Sequence, residues 1–184
     1  MQKEQEIGNL LFALGSDLKN MKVIVKYLLK LEKLDSLLSE VNQSNWKKLA
    51  WALKPSMLAL IQHKFLEHPC EGVILMVASC CSELIRLTSP IPLYNDDIMR
   101  EASPLIVETF QDLDNTMGHT FGKKLKILEV MVGVKSYDIM LDLECNDLIL
   151  QMFQCFFNIK EHPPNNIKTN MQSIFNFVFT YTRP

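Results

Sequence analysis

Glycine is scarce in this chain, six in 184 residues, and proline contributes eight. So few glycines leave little material for the positive-φ turns of tight hairpins, and they favour helices joined by short loops. A positive excess is missing too. The 19 Lys and Arg against 21 Asp and Glu give a net charge of −2, which does not concentrate phosphate polymers, so direct nucleic-acid binding is not expected. The densest apolar run, 73–78, falls far short of the ~20 residues a membrane span needs. The amino terminus, MQKEQEIGNLLFALGSD, lacks the basic start, apolar core and small-residue cleavage site of a secretory signal. Cysteines stand at 70, 80, 81, 145 and 155, an odd count without framework spacing, which suits a reducing compartment where cysteine serves as a small core hydrophobe. These absences together describe a soluble, intracellular, all-α protein.

What is present agrees. Hydrophobic residues make up 48% and charged ones 22% of the chain, the balance of an ordinary globular protein, and the length suits one domain spanning 1–184. Over 21–41, Ile24, Leu28, Leu31, Leu34, Leu38 and Val41 recur at steps of three or four, with Lys26, Lys30, Lys33 and Glu40 elsewhere around the turn; this is an amphipathic helix. A shorter helix over 3–14 precedes it, with Gly15 and Ser16 marking its end. The pattern over 46–66 is helical but meets Lys54-Pro55, where proline removes a donor and disfavours helix before it, so a break is expected there and a second helix over 56–66. A helix over 71–88 carries Val73, Val77, Cys80, Leu84 and Leu87 on one stripe; Pro90 and Pro92 then stop it.

Asn95 is a good N-cap, with Asp96 and Asp97 complementing the helix dipole behind it. That helix is expected to run to about 114, bent at Pro104. Further helices are predicted from about 121 to Gly133, from a cap at Asn146 through Phe156, and over 167–179 after Pro163-Pro164. The total is eight or nine helices. Breaks near His68, Pro92, Asn115, Asn146 and Pro163 recur so that two helices fill about the 40 to 47 residues of a HEAT or armadillo unit. The predicted architecture is therefore a HEAT/ARM-like helical-repeat array in which each unit buries its stripe on its neighbours.

Catalytic equipment is hard to find. His63 and His68 stand five apart, which turns them away from each other on a helix, and a pair of water-exposed helix-end histidines is expected there rather than a zinc site. Cys80 and Cys81 point to different sides of their helix and are expected to pack in the core; a reactive thiol needs an electropositive, accessible setting. There is no GxxxxGK[ST], GxGxxG or GxSxG, so phosphate cradling and nucleophile-elbow chemistry lack their turns. No enzyme, cofactor, metal or small-molecule substrate is expected. Lys123, Lys124 and Lys126, with Lys135 beyond, form one modest basic cluster, readable as a solvated helix face or as a docking patch for an acidic partner segment. Phenylalanines 153, 156, 157, 175, 177 and 179 crowd the last quarter, as a buried helix pair or, in a short array, an exposed edge.

Two segments carry a resemblance. Leu66-Glu67-His68-Pro69 leading into ILMVASCCSELIRLTSPIPLYNDD, and the core MLDLECNDLI within 134–157, resemble the N-terminal repeats of the plant branch of the sister-chromatid cohesion family named for precocious dissociation of sisters. Echoes in IGNLLFALGSDL, LSEVNQS and HPPNNIKTNMQSIFNFVF extend it over nearly the whole chain. The resemblance implies a non-enzymatic scaffold in the nucleus that docks on cohesin subunits and cohesin regulators, touches chromatin only indirectly, and sets how long cohesin stays there, with consequences for mitotic cohesion and recombinational DNA repair. Members show an arginine before a proline-rich corner ending in tyrosine, which adds Arg86 and Tyr94 to Lys123, Lys124, Lys126 and Lys135 as candidate partner-docking residues. This chain departs in reading Pro92-Leu93-Tyr94 where members have alanine, proline, tyrosine, and it is far shorter than members, as if it carried the first repeats only. A general helical adaptor, or an inactive truncated member, is the alternative.

Overall fold

The computed structural model describes residues 2–20, 24–159 and 163–181. Ten α-helices lie among them: α1 (Gln2–Asn20), α2 (Ile24–Glu40), α3 (Trp46–Leu60), α4 (His63–Leu66), α5 (Glu71–Thr88), α6 (Asp96–Glu108), α7 (Phe121–Val134), α8 (Tyr137–Asp142), α9 (Asn146–Phe157) and α10 (Asn165–Tyr181). A 3-10 turn, Gln43–Asn45, links α2 to α3, and no strand occurs among the described residues. The expected start of the second helix at Met21, the side chain of Ile24, His162 and the tail at 182–184 lie outside the described residues.

Helices pack on elements two or three further along the chain: α1 on α3, α3 on α5 and α5 on α7 at a step of two, and α2 on α5, α6 on α9 and α7 on α10 at a step of three. This neighbour-on-neighbour stacking is the signature of a helical-repeat array. α5 is its spine. Every residue over 75–85 is buried, because α2, α3, α4, α6 and α7 all contact it.

Of the expected stripe, Leu31, Leu34 and Leu38 on α2 are fully buried, Leu28 is partly buried, and Val41, one residue past the helix, is nearly buried. α5 begins and ends where its sequence says. At α6 the side chain of Asn95 accepts from the Ile98 N–H at 3.1 Å, satisfying one of the first-turn donors that a helix leaves open.

The described residues hold ten helices where eight or nine were expected, α8 being the one the spacing did not show, and four further expectations are corrected. Gly15 does not end α1, which runs on to Asn20; a Cβ there would stand 2.4 Å from the Ser56 backbone nitrogen, so the glycine exists to let α1 and α3 touch backbone to backbone. Pro55 does not break α3. The carbonyl it leaves without a donor belongs to Trp51, a residue 46% exposed, where water can replace the missing bond. The real interruption comes at Ile61 and Gln62, between α3 and α4. α6 stops at Glu108 rather than near 114, in a series of turns through the left-handed Asp112 (φ 55°). Finally, Cys145 rather than Asn146 occupies the cap of α9, without a side-chain cap bond.

Candidate functional site

The chemistry-bearing side chains concentrate where α2, α5 and α7 meet. Asp35 lies on the apolar side of α2, one position after Leu34, and is only 2% exposed. One of its oxygens accepts from the Ser79 hydroxyl of α5 at 2.6 Å, and the other takes the ammonium of Lys123 on α7. One turn beyond Ser79, the equally buried Glu83 receives Arg86 Nε on Oε2 at 2.6 Å and Lys126 Nζ on Oε1 at 2.8 Å. Arg86 reaches further, donating through a terminal nitrogen to the carbonyls of Leu38 and Val41 at 3.0 and 3.1 Å. Those carbonyls belong to the end of α2, where helical acceptors are left over.

Charge logic explains the arrangement. A buried carboxylate without a partner is costly, and removing one member of such a pair typically costs about 3–5 kcal/mol. Two buried anions here meet three cations whose side chains are partly exposed, so the pairs sit at the rim of the core, where a cation is less costly to hold than deep inside it. Three helices are thereby fixed in register by directional contacts rather than by apolar packing alone.

Of the candidate docking residues, Arg86, Lys123 and Lys126 are brought together, but around Asp35 and Glu83. Lys124 sits apart, donating to the Gln111 carbonyl at 2.6 Å. Lys135, left-handed at φ 54° just after α7, places its ammonium 5.7 Å from the Phe177 ring centre on α10. Tyr94 donates its hydroxyl to the Met57 carbonyl at 2.8 Å, pinning the proline corner to α3, and burial raises its phenol well above the ordinary value. The six residues do not converge on one surface, and each makes a contact within the chain. Asp35 and Glu83 went unnoticed in the sequence, although a lone carboxylate on an apolar helix stripe was the available signal.

The thiols are poorly placed for chemistry. Cys80 and Cys81 are both buried, because both sides of α5 are covered, and all five cysteines are free. Burial, aided by Asp35, pushes the Cys80 thiol up, and burial alone pushes Cys81 up to about 12, so neither offers a thiolate near neutrality. His63 is exposed and sits 3.5 Å from Glu67. His68 departs from the expected exposed pair: it is buried, accepts from the Cys70 N–H on Nδ1 at 3.0 Å, and stands edge-on to Tyr27. Among the described residues no group of three or more His, Cys, Asp or Glu comes together to hold a metal ion, and no helix is long and apolar enough to cross a membrane.

A family model described as "Sister chromatid cohesion protein PDS5 protein" matches residues 26–179. The chain belongs to the PDS5 family. Sister chromatid cohesion protein PDS5 homolog C of Arabidopsis thaliana is 36% identical over 95% of this chain and 20% of its own length. Homolog A of the same plant is 37% identical over 88% of this chain and 10% of its own, and homolog A of mouse is 30% identical over 65% and 9%. The chain therefore spans a fifth or less of these PDS5 relatives. Its fold matches a solved chain from "Structure of the Pds5-Scc1 complex and implications for cohesin function", with TM-score 0.65 and 21% identity over 80% of this chain and 22% of that one. The architecture is thus the helical-repeat array expected from the spacing of its breaks. The α2–α5–α7 joint and the proline corner both fall inside the PDS5-matched span.

Proposed function

We propose that this PDS5-family chain is a non-catalytic helical scaffold that associates with cohesin in the nucleus. There it takes part in sister chromatid cohesion, in how long cohesin stays on chromatin, and in repair by homologous recombination. Cohesin subunits and their regulators are its partners, and it meets chromatin through them. Membership of the PDS5 family over 26–179 carries this reading. The geometry supports it in kind: helices pinned in register by Asp35, Glu83, Arg86, Lys123 and Lys126 give a rigid array, and a rigid array binds without the ordering cost of a flexible one.

The test is recovery of cohesin. Tagged chain expressed in plant cells is expected to localise to nuclei and to bring down cohesin subunits from nuclear extract. Recovery of trafficking proteins alone, or an even distribution outside the nucleus, would overturn the reading in favour of a general adaptor.

A further inference from the structure

The outer face of α1 and α3 leaves large apolar side chains and lysines exposed side by side. Along α3, Lys47, Trp51, Lys54 and Leu58 follow one another at steps of four, three and four, which places them in a single stripe. All four are exposed, Trp51 to 46% and Leu58 to 44%. Beside them α1 contributes Phe12, 45% exposed, whose ring centre lies 5.7 Å from that of Trp51. The close approach at Gly15 and Ser56 brings the two helices near enough for these side chains to share a groove. Its volume is about 250 Å³, lined by Phe12, Lys19, Trp51, Lys54, Pro55 and Leu58 together with Ser16.

No carboxylate lines that groove. Asp17, the acid of α1 nearest to it in sequence, is paired with Lys30 of α2 instead. Lys19 and Lys54 are exposed, so the apolar floor has a positive rim. Desolvating large apolar side chains drives docking, and charge at the rim selects the partner and speeds its arrival.

We propose that the α1–α3 groove docks a short protein segment with aliphatic or aromatic anchors flanked by aspartate and glutamate. The anchors enter between Phe12, Trp51 and Leu58, and the acids meet Lys19 and Lys54, in the manner of an amphipathic helix laid in a groove. A second copy of the same face is a poor occupant, because it would bring lysine against lysine. A nucleic-acid strand stacks its bases on aromatic floors, but the two lysines of this groove neutralise too few phosphates to hold one against a chain of net charge −2. The surface is separate from the α2–α5–α7 joint, and its occupant is defined by chemistry independently of cohesin.

The test begins with a display library of randomised 16-residue peptides selected on the full chain. Enriched sequences should combine leucine, phenylalanine or tryptophan anchors with aspartate and glutamate, and one resynthesised peptide free of tryptophan should bind in fluorescence anisotropy and shift an emission component that Trp51→Phe, which keeps Trp46, removes. Trp51→Ala should weaken that binding at least tenfold. The double reversal Lys19→Glu with Lys54→Glu should abolish it and admit the same peptide rewritten with lysine for its acids. Every substituted residue is exposed, so circular dichroism should stay unchanged. Basic or uncharged winners, no enrichment at all, or binding indifferent to these variants would overturn the proposal. So would protection of Trp51 by self-association, by oligo-dT or by phosphatidylserine vesicles, each of which assigns the face to a different occupant.

Discussion

Lys126 of α7 holds its ammonium 2.8 Å from a carboxylate oxygen of Glu83, a residue of α5 that is 2% exposed. The contact joins residues more than forty positions apart in the chain, and with Lys123 on Asp35 it makes α7 part of the same body as α2 and α5.

Cutting that joint on one side is expected to be worse than removing it. Lys123→Met leaves Asp35 buried with only Ser79 to satisfy it and should cost about 3–5 kcal/mol of unfolding free energy. The double variant with Asp35→Asn should cost clearly less than the sum of the two single changes, because the charge that needed a partner is gone. Urea denaturation of the four proteins measures this; strict additivity would mean that the two residues are not coupled.

The helix crossing at Gly15 makes opposite forecasts for two glycines. Gly15→Ala puts a methyl group 2.4 Å from the Ser56 nitrogen, a backbone neighbour that cannot turn aside, and should destabilise by about 2 kcal/mol or more. Gly133→Ala, where a Cβ meets nothing within 4 Å, should raise stability by about 0.5 kcal/mol through helix propensity. Melting temperatures that move in the same direction for both would contradict the packing described.

Lys135 closes α7 in a left-handed conformation, with its N–H on the Val132 carbonyl and the Ser136 N–H on that of Met131. This is the double bond pattern in which glycine is preferred. Lys135→Gly is therefore expected to stabilise by about 0.5–1 kcal/mol, despite losing the ammonium above Phe177, and thermal unfolding would show it.

The buried thiols give a pH dependence of fixed sign. Cys81 keeps its proton up to about 12 when folded, against an ordinary 9.0, and Cys80 and Tyr94 shift the same way. Above pH 9 the unfolded chain releases thiol protons that the folded chain retains, so stability must fall from there towards pH 12. Cys81→Ala should flatten that decline. In native protein at pH 8, thiol reagents should reach Cys70 and Cys145 well before Cys80 and Cys81.

The sequence made local features legible and tertiary ones obscure. The stripe and stops of α5 and the Asn95 cap depend on neighbouring residues, and they stand where the pattern put them. Gly15 and Pro55 each look like a helix breaker when read alone; in space they face one another across the α1–α3 crossing, and each is tolerated because of where it lies. The basic cluster at 123–126 read as a surface feature because its buried partners, Asp35 and Glu83, lie some 88 and 43 positions earlier. Nothing in the spacing of lysines indicates an acid that far away.

Direct binding to purified cohesin is the measurement that reaches the centre of the account. Full chain mixed with an assembled cohesin complex is expected to co-elute with it in size-exclusion chromatography, and to keep doing so after Cys80→Ala or His63→Ala, since a scaffold needs neither group. Separate elution at concentrations well above the micromolar range would contradict the proposed cohesin scaffold.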